Sequence, residues 1–226
     1  MARPRRDAGT PLLPTGSWDA LTPGTLSAGA ELDGVRLTGD LRGLRAPDVR
    51  LLECELADAA ADDARLRGGS WAECRWARVG ATSLDLAGTT LRDTTWEGCR
   101  IGVLELPEAT LTRVLLRDCK LDYVNLRHAA VTDLTVERCT IGELDVGQAR
   151  LLRVRFSGCT VGSIALSGSR SEHVDVSDAG LLRLEGLDSL RGVTLSAEQA
   201  HDLAPALIKH LGGIIAQPNK ADEAAR

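Results

Sequence analysis

The chain has 226 residues, of which 43% are apolar and only 3% aromatic, with a net charge of −5. That apolar fraction supports a sizeable aliphatic core and excludes wholesale disorder, while the mild acidity argues against a general nucleic-acid-binding surface. No apolar run reaches a membrane span, and basic Arg3, Arg5 and Arg6 are followed by no secretory h-region, so the expected compartment is the cytoplasm.

Residues 1–25 contain Pro4, Pro11, Pro14 and Pro23 with little periodicity, and they predict a flexible N-terminal tail and partial cap. Trp18 and Leu21 are placed over the start of whatever follows, and the first fifteen or so residues are expected to be disordered.

From Leu41 the chain has a strict period of five. Stepping by five from Leu41 to Leu181 visits 29 positions, of which 25 are large and apolar, three are Ala and one is Ser. Neither a helix nor a flat strand generates that period. A second inward column lies two residues earlier and holds Cys99, Cys119, Cys139 and Cys159, each 20 apart, with Ala109, Ala129 and Ala149 on the same step. Twenty residues are four units, so the chain returns to the same side after four turns. The predicted object is a four-sided coil of about seven turns, roughly 34 Å long at the strand spacing of about 4.8 Å. Glycines recurring in columns, Gly68, Gly88 and Gly168 in one and Gly102, Gly142 and Gly162 in another, fit corners needing φ > 0.

Two irregularities are visible. Leu37 to Leu41 is a step of four, which implies a one-residue deletion in the first coil. Cys54 and Cys74 are 20 apart but Cys74 and Cys99 are 25 apart. Either the cysteine ladder moves to the adjacent face, or a unit loops out between residues 80 and 95. The unbroken main column favours the first and stacks Trp76 beneath Trp96. Small inward neighbours (Ala59, Ala61, Ala64, Gly69, Ala81) make room for the tryptophans.

Units such as Val124-Asn125-Leu126-Arg127-His128 and Leu84-Asp85-Leu86-Ala87-Gly88, with Ala179-Gly180-Leu181, resemble the pentapeptide-repeat family, whose loose consensus is Ala-(Asp/Asn)-Leu-x-x. The resemblance covers about residues 30–185. It implies an all-β, right-handed quadrilateral β-helix, assigned here to residues 26–190. Residues 191–216 are read as a C-terminal helical cap and possible dimer element, and residues 217–226 as a flexible tail.

In the cap, Ser196-Ala197-Glu198-Gln199 reads as a capping box. Leu203, Leu207 and Leu211 share one face, Pro205 is expected to break or kink the helix near Ala204, and Gly212 is a stop. Ile214 and Ile215 read as a short strand-like piece. Together with Ile208, these apolar residues are the candidate cap and homodimer joint; gyrase-targeting members of the resembled family dimerise through that end.

The chemistry-bearing residues do not assemble into a catalytic motif. There is no Cys-x-x-Cys, no phosphate loop, no G-x-S-x-G and no H-E-x-x-H. The cysteines are expected to be reduced core fillers rather than disulfides or zinc ligands. His128 and His173 point outward from different faces, and no catalytic residue, metal or cofactor is expected. The outer surface is what remains. The resemblance implies a partner such as DNA gyrase or topoisomerase IV, bound by a DNA-mimicking rod that protects the enzyme from quinolones, with no direct contact to nucleic acid or membrane. The alternative is a scaffold or interaction module with an unrelated partner. Residues 41–185 carry 22 acidic and 19 basic residues, so no face is uniformly acidic. Acidic stripes nevertheless occur at Glu53, Glu73 and Asp93, and at Asp85, Glu105 and Asp145. Val103 and Tyr123 stack as exposed apolar neighbours, with Leu115 and Leu152 also read as outward.

Overall fold

The computed structural model describes residues 9–16, 18 and 20–216, and 18 strands form one continuous wrapped sheet in which each coil pairs with the next in parallel. The register is twenty residues: Leu91 lies opposite Leu111, Leu111 opposite Val131, and Val131 opposite Leu151. The architecture is a β-solenoid of about eight turns, matching a right-handed β-helix with a small helical cap. The extra turn relative to the sequence estimate comes from the ends, where Thr22–Pro23 pairs with Val35–Arg36 and Val193–Thr194 pairs with Val174–Asp175.

Both inward columns are buried along most of the rod, including Leu56, Leu66, Leu86, Ile101 and Leu121, with Leu41, Leu116, Ser171 and Leu181 half-buried. The first-coil deletion is present. Arg36, Leu37 and Thr38 pair with residues 19 further on, Gly39 and Asp40 with residues 20 further on, and the register slips between Thr38 and Gly39. No unit loops out at residues 80–95: Trp76 lies opposite Trp96, and the strand Gly80–Asp85 continues the ladder. The cysteine column therefore changes face between Cys74 and Cys99.

All six cysteines are unpaired and buried. Five of the thiols donate to backbone carbonyls of the preceding coil, among them Cys99 Sγ to Trp76 O at 3.6 Å, Cys119 Sγ to Trp96 O at 3.6 Å and Cys159 Sγ to Val136 O at 3.4 Å, while Cys139 donates to Glu137 O in its own coil. A thiol thus fills the narrow bore like a small apolar group and also finds an acceptor there.

Corner chemistry differs around the coil. At three corners the last residue of the unit sits in the left-handed region, as at Asp48, Glu108 and His128, at Glu53, Asp93 and Asp133, and at Asp58, Asp118 and Arg138. Gly68, Gly88 and Gly168 belong to the first of these, as expected. The column of Gly102, Gly142 and Gly162 does not: none has positive φ, and a Cβ there would lie 2.4–2.5 Å from the carbonyl oxygen of the coil before. These glycines serve close approach, not turn geometry. From Gly80–Asp85 onward the strands run straight through this fourth corner, as in Arg100–Glu105 and Lys120–Asn125. Bulky side chains disfavoured at φ > 0 are therefore admissible there.

At the C-terminal end the helix α1, Ala197–His210, follows the N-cap Ser196 with both hydrogen bonds of the capping box in place. It passes through Pro205 without ending, contrary to the expected break near Ala204. His201 and Pro205 are exposed, so water can solvate the carbonyl that proline leaves without its helical donor. Gly212 terminates it with φ 80°. Ile214 and Ile215 form no strand; both are exposed. The predicted tail 217–226 lies outside the described residues.

Candidate functional site

The through-going corner gathers two groups that the sequence presented separately. Val103 lies opposite Tyr123, and Tyr123 opposite Glu143. Two residues along the same strands, Asp85, Glu105, Asn125 and Asp145 stack in register. Both columns lie outside the bore on either side of the buried Leu104 column, and Asp145, Glu105 and Glu143 all act on Tyr123, so the apolar pair and the carboxylates form one outward patch. The Tyr123 hydroxyl is held above the usual phenol value, first by partial burial and then by Asp145, Glu105 and Glu143 around it. Each carboxylate of the inner stripe has a partner: Arg67 Nε donates to Asp85 at 2.6 Å, Asn125 Nδ2 to Glu105 at 2.7 Å, and Arg127 Nη1 to Asp145 at 3.1 Å. Asp85 is buried, Glu105, Asp145, Val103 and Tyr123 are half-buried, and Glu143 is exposed.

The other expected stripe is not an open surface. Glu53 is exposed and Glu73 half-buried, but Asp93 is 2% exposed and grips Arg113 through two hydrogen bonds of 2.6 Å. Its carboxyl is held below the ordinary carboxylate range, chiefly by the Arg113 hydrogen bonds. Leu115, read as outward and exposed, is 5% exposed although it lies outside the core cluster. Leu152 is half-buried. Residues 9–16, assigned to a flexible tail, cover this flank instead. Leu12 N donates to Asp133 Oδ1 at 2.9 Å, and the Trp18 indole donates to Glu73 O at 2.8 Å, well beyond the first coil.

A third edge carries alternating charge. Glu55, Arg75, Glu97, Arg117 and Glu137 form a continuous ion-pair ladder, and Arg78–Asp58 and Arg138–Asp118 pair across adjacent coils beside it. Opposite charges 20 apart were the sequence signal for these pairs, apart from Arg75–Glu97, which are 22 apart and join two neighbouring columns. At the end of the rod, Leu203 and Leu207 are half-buried, whereas Ile208, Leu211, Ile214 and Ile215 are exposed. Gln199 is the residue that sequence reading missed there beyond its capping role. Its buried amide donates to Val176 O at 2.8 Å and Ala179 O at 2.7 Å, satisfying carbonyls at the open edge of the last full coil.

Through the regular part of the rod every coil consists of four five-residue units, stacked in register at a twenty-residue step, with positions one and three of each unit turned inward. This is the architecture of a pentapeptide-repeat solenoid. No family model and no curated protein matches this chain. Among solved structures it is similar to QnrB1, a plasmid-mediated fluoroquinolone resistance protein, at 17% identity and a TM-score of 0.43, covering 85% of this chain and 100% of that one. It is also similar to HetL, a pentapeptide-repeat protein involved in heterocyst differentiation regulation from the cyanobacterium Nostoc sp. Strain PCC 7120, at 17% identity and a TM-score of 0.23, covering 75% and 91%. Among the described residues no group of three or more His, Cys, Asp and Glu side chains could hold a metal ion, and no helix is long and apolar enough to cross a membrane.

Proposed function

We propose that this pentapeptide-repeat solenoid is a non-enzymatic, protein-binding rod whose contact surface is the corner of Val103, Tyr123, Glu105, Glu143 and Asp145. The observation that carries the reading is the in-register patch itself, an aromatic ring and an aliphatic side chain among three carboxylates on a rigid ladder. Aromatic residues ringed by polar groups are the kind of anchor that dominates protein interfaces.

The partner in this reading is a cytoplasmic DNA gyrase or topoisomerase IV, with the rod occupying the DNA-binding saddle. The repeat resemblance and the loop-free coils support it. The stripe offers about one carboxylate per ~4.8 Å coil, against one charge per ~1.7 Å of duplex, so Tyr123 and Val103 must contribute contact beyond charge mimicry. The test is gyrase supercoiling titrated with this protein, with and without a quinolone. Inhibition or protection at micromolar protein, weakened in Glu105→Lys/Asp145→Lys, is expected; no effect of the wild type removes the topoisomerase reading.

One observation favours the scaffold alternative with an unrelated partner: the ion-pair ladder from Glu55 to Glu137 neutralises a whole edge. A pull-down in which Tyr123→Ala abolishes capture of a partner other than a topoisomerase supports that alternative.

We also propose that the exposed Ile208, Leu211, Ile214 and Ile215 meet the same residues of a second copy. Light scattering is expected to give a dimer mass for the wild type and a monomer mass for Leu207→Glu/Leu211→Glu; equal masses reject the joint.

A further inference from the structure

The N-terminal segment lies on the rod in a register of its own. Gly9 packs against the His173 ring, where a Cβ would lie 3.3 Å from Nδ1. Leu12 N–H donates to Asp133 and the Trp18 indole N–H to Glu73 O, and the Thr15 backbone lies near enough to Asp93 to help hold its carboxyl low. The segment thus runs against the direction of the coils, and its contacts recur every third residue. From Gly9 to Leu12 to Thr15 the docking points on the rod step back 40 residues each time, which is two coils.

The two periods match physically. Pro11 and Pro14 fix their own φ, and the residues before them, Thr10 and Leu13, are pushed to extended conformations. A polyproline II chain has three residues per turn and rises about 9.3 Å in that turn. Two coils rise about 9.6 Å. Every turn of such a chain therefore presents an N–H to an equivalent place on the rod.

The receiving groups are set for this. Asp93 and Asp133 belong to one corner column and alternate with Arg113 and Arg153. Each arginine holds the aspartate one coil before it through two hydrogen bonds, of 2.6 and 2.6 Å and of 2.7 and 2.9 Å. The outward residues Asp93, Thr95, Leu115, Asp133 and Thr135 are all buried, and so is Pro11. Arg75 lies 5.9 Å over the Trp18 ring at the far end.

We propose that this flank is a binding groove for extended, proline-containing peptide segments that offer a backbone N–H every third residue, and that residues 9–16 and Trp18 occupy it in cis as a releasable strap. The repeat supplies acceptors at a fixed spacing, and the ligand class is set by that spacing rather than by pockets for particular side chains. The inference does not depend on the corner patch or on any topoisomerase.

The test uses the full chain with Leu12→Pro/Thr15→Pro, which keeps the extended conformation and removes the two donors. Hydrogen exchange of the remaining amides in residues 9–16 is expected to rise about tenfold or more for each bond lost to a charged acceptor, whereas Leu13→Pro, which removes an N–H outside the three-residue register, leaves it unchanged. The variant with the released strap is then expected to bind a labelled synthetic peptide with the sequence of residues 9–20 saturably, and at least tenfold more tightly than the wild type does. The same peptide carrying proline at both donor positions is expected not to bind. Unchanged exchange in the double variant, absence of peptide binding, or equal binding of the donor-less peptide overturns the proposal. A wild-type dimer that Leu12→Pro/Thr15→Pro dissociates also overturns it, since the strap would then belong to a second copy.

Discussion

The indole rings of Trp76 and Trp96 are stacked with centroids 4.2 Å apart and planes 5° from parallel, one coil above the other. Trp71 adds a third ring, 4.8 Å from Trp76 within the same coil. None of the three indole N–H groups has a hydrogen-bond partner, so burial and stacking carry the cluster.

That cluster fixes the cost of altering its neighbours. Trp76→Ala is expected to destabilise by about 3–5 kcal/mol through the cavity it leaves. Gly69→Ala is expected to cost about 1–3 kcal/mol by overpacking, because the added Cβ would lie 2.6 Å from Trp71 Nε1 and 2.7 Å from Val49 O. Urea denaturation midpoints check both. An unchanged midpoint for Gly69→Ala would mean that the coil yields at this corner.

The Asp93–Arg113 pair makes stability fall in acid. Asp93 has a folded pKa below its unfolded value of about 3.9, so its contribution is fully present above that value. It is lost as pH falls through the lower folded pKa. Asp93→Asn is expected to cost about 1–3 kcal/mol at pH 7 and progressively less below about pH 4. Denaturant titrations of wild type and variant at pH 7 and pH 3 measure it; a difference that is equal at both values refutes the assignment.

The thiols are expected to be inert in the native state. Burial pushes Cys74 up to about 12, and although a hydrogen bond from Cys119 lowers Cys99, that side chain too is fully buried. A chromogenic disulfide reagent should titrate none of the six in native protein and all six after unfolding. Rapid reaction of even one native thiol would show that the bore opens.

Gln199 ties the cap to the rod. Gln199→Ala is expected to cost about 1–2 kcal/mol, since it removes half of the capping box and leaves the Val176 and Ala179 carbonyls without their donor. Hydrogen exchange should speed up in the helix and in the strand Arg170–Glu185 while the first coils stay unchanged. Equal protection in the variant would show that α1 is held by other contacts.

Much of this protein is legible because the repeat is local. The five-residue period assigns Leu91, Leu111 and Val131 to one stack, the step from Leu37 to Leu41 marks the register slip, and the unbroken main column places Trp76 under Trp96. Each of these needs only that a unit of fixed length returns the chain to the same place. The helix end at Ser196 and the stop at Gly212 follow equally from short-range hydrogen bonding.

The candidate site was legible in its parts but not in its assembly. Val103–Tyr123 and Glu105–Asp145 stand in neighbouring columns, yet only the turn geometry shows that one corner lacks the left-handed residue and can carry an aromatic side chain. The strap escaped altogether. Leu12 and Asp133 are 121 residues apart, and no period links a proline-containing tail to a column of aspartates until both are placed in space. The sequence determined the coil, because its information repeats every five residues. The tertiary structure decided which acidic column receives the N-terminal segment and which does not, because that depends on a single non-repeating segment folding back across five coils.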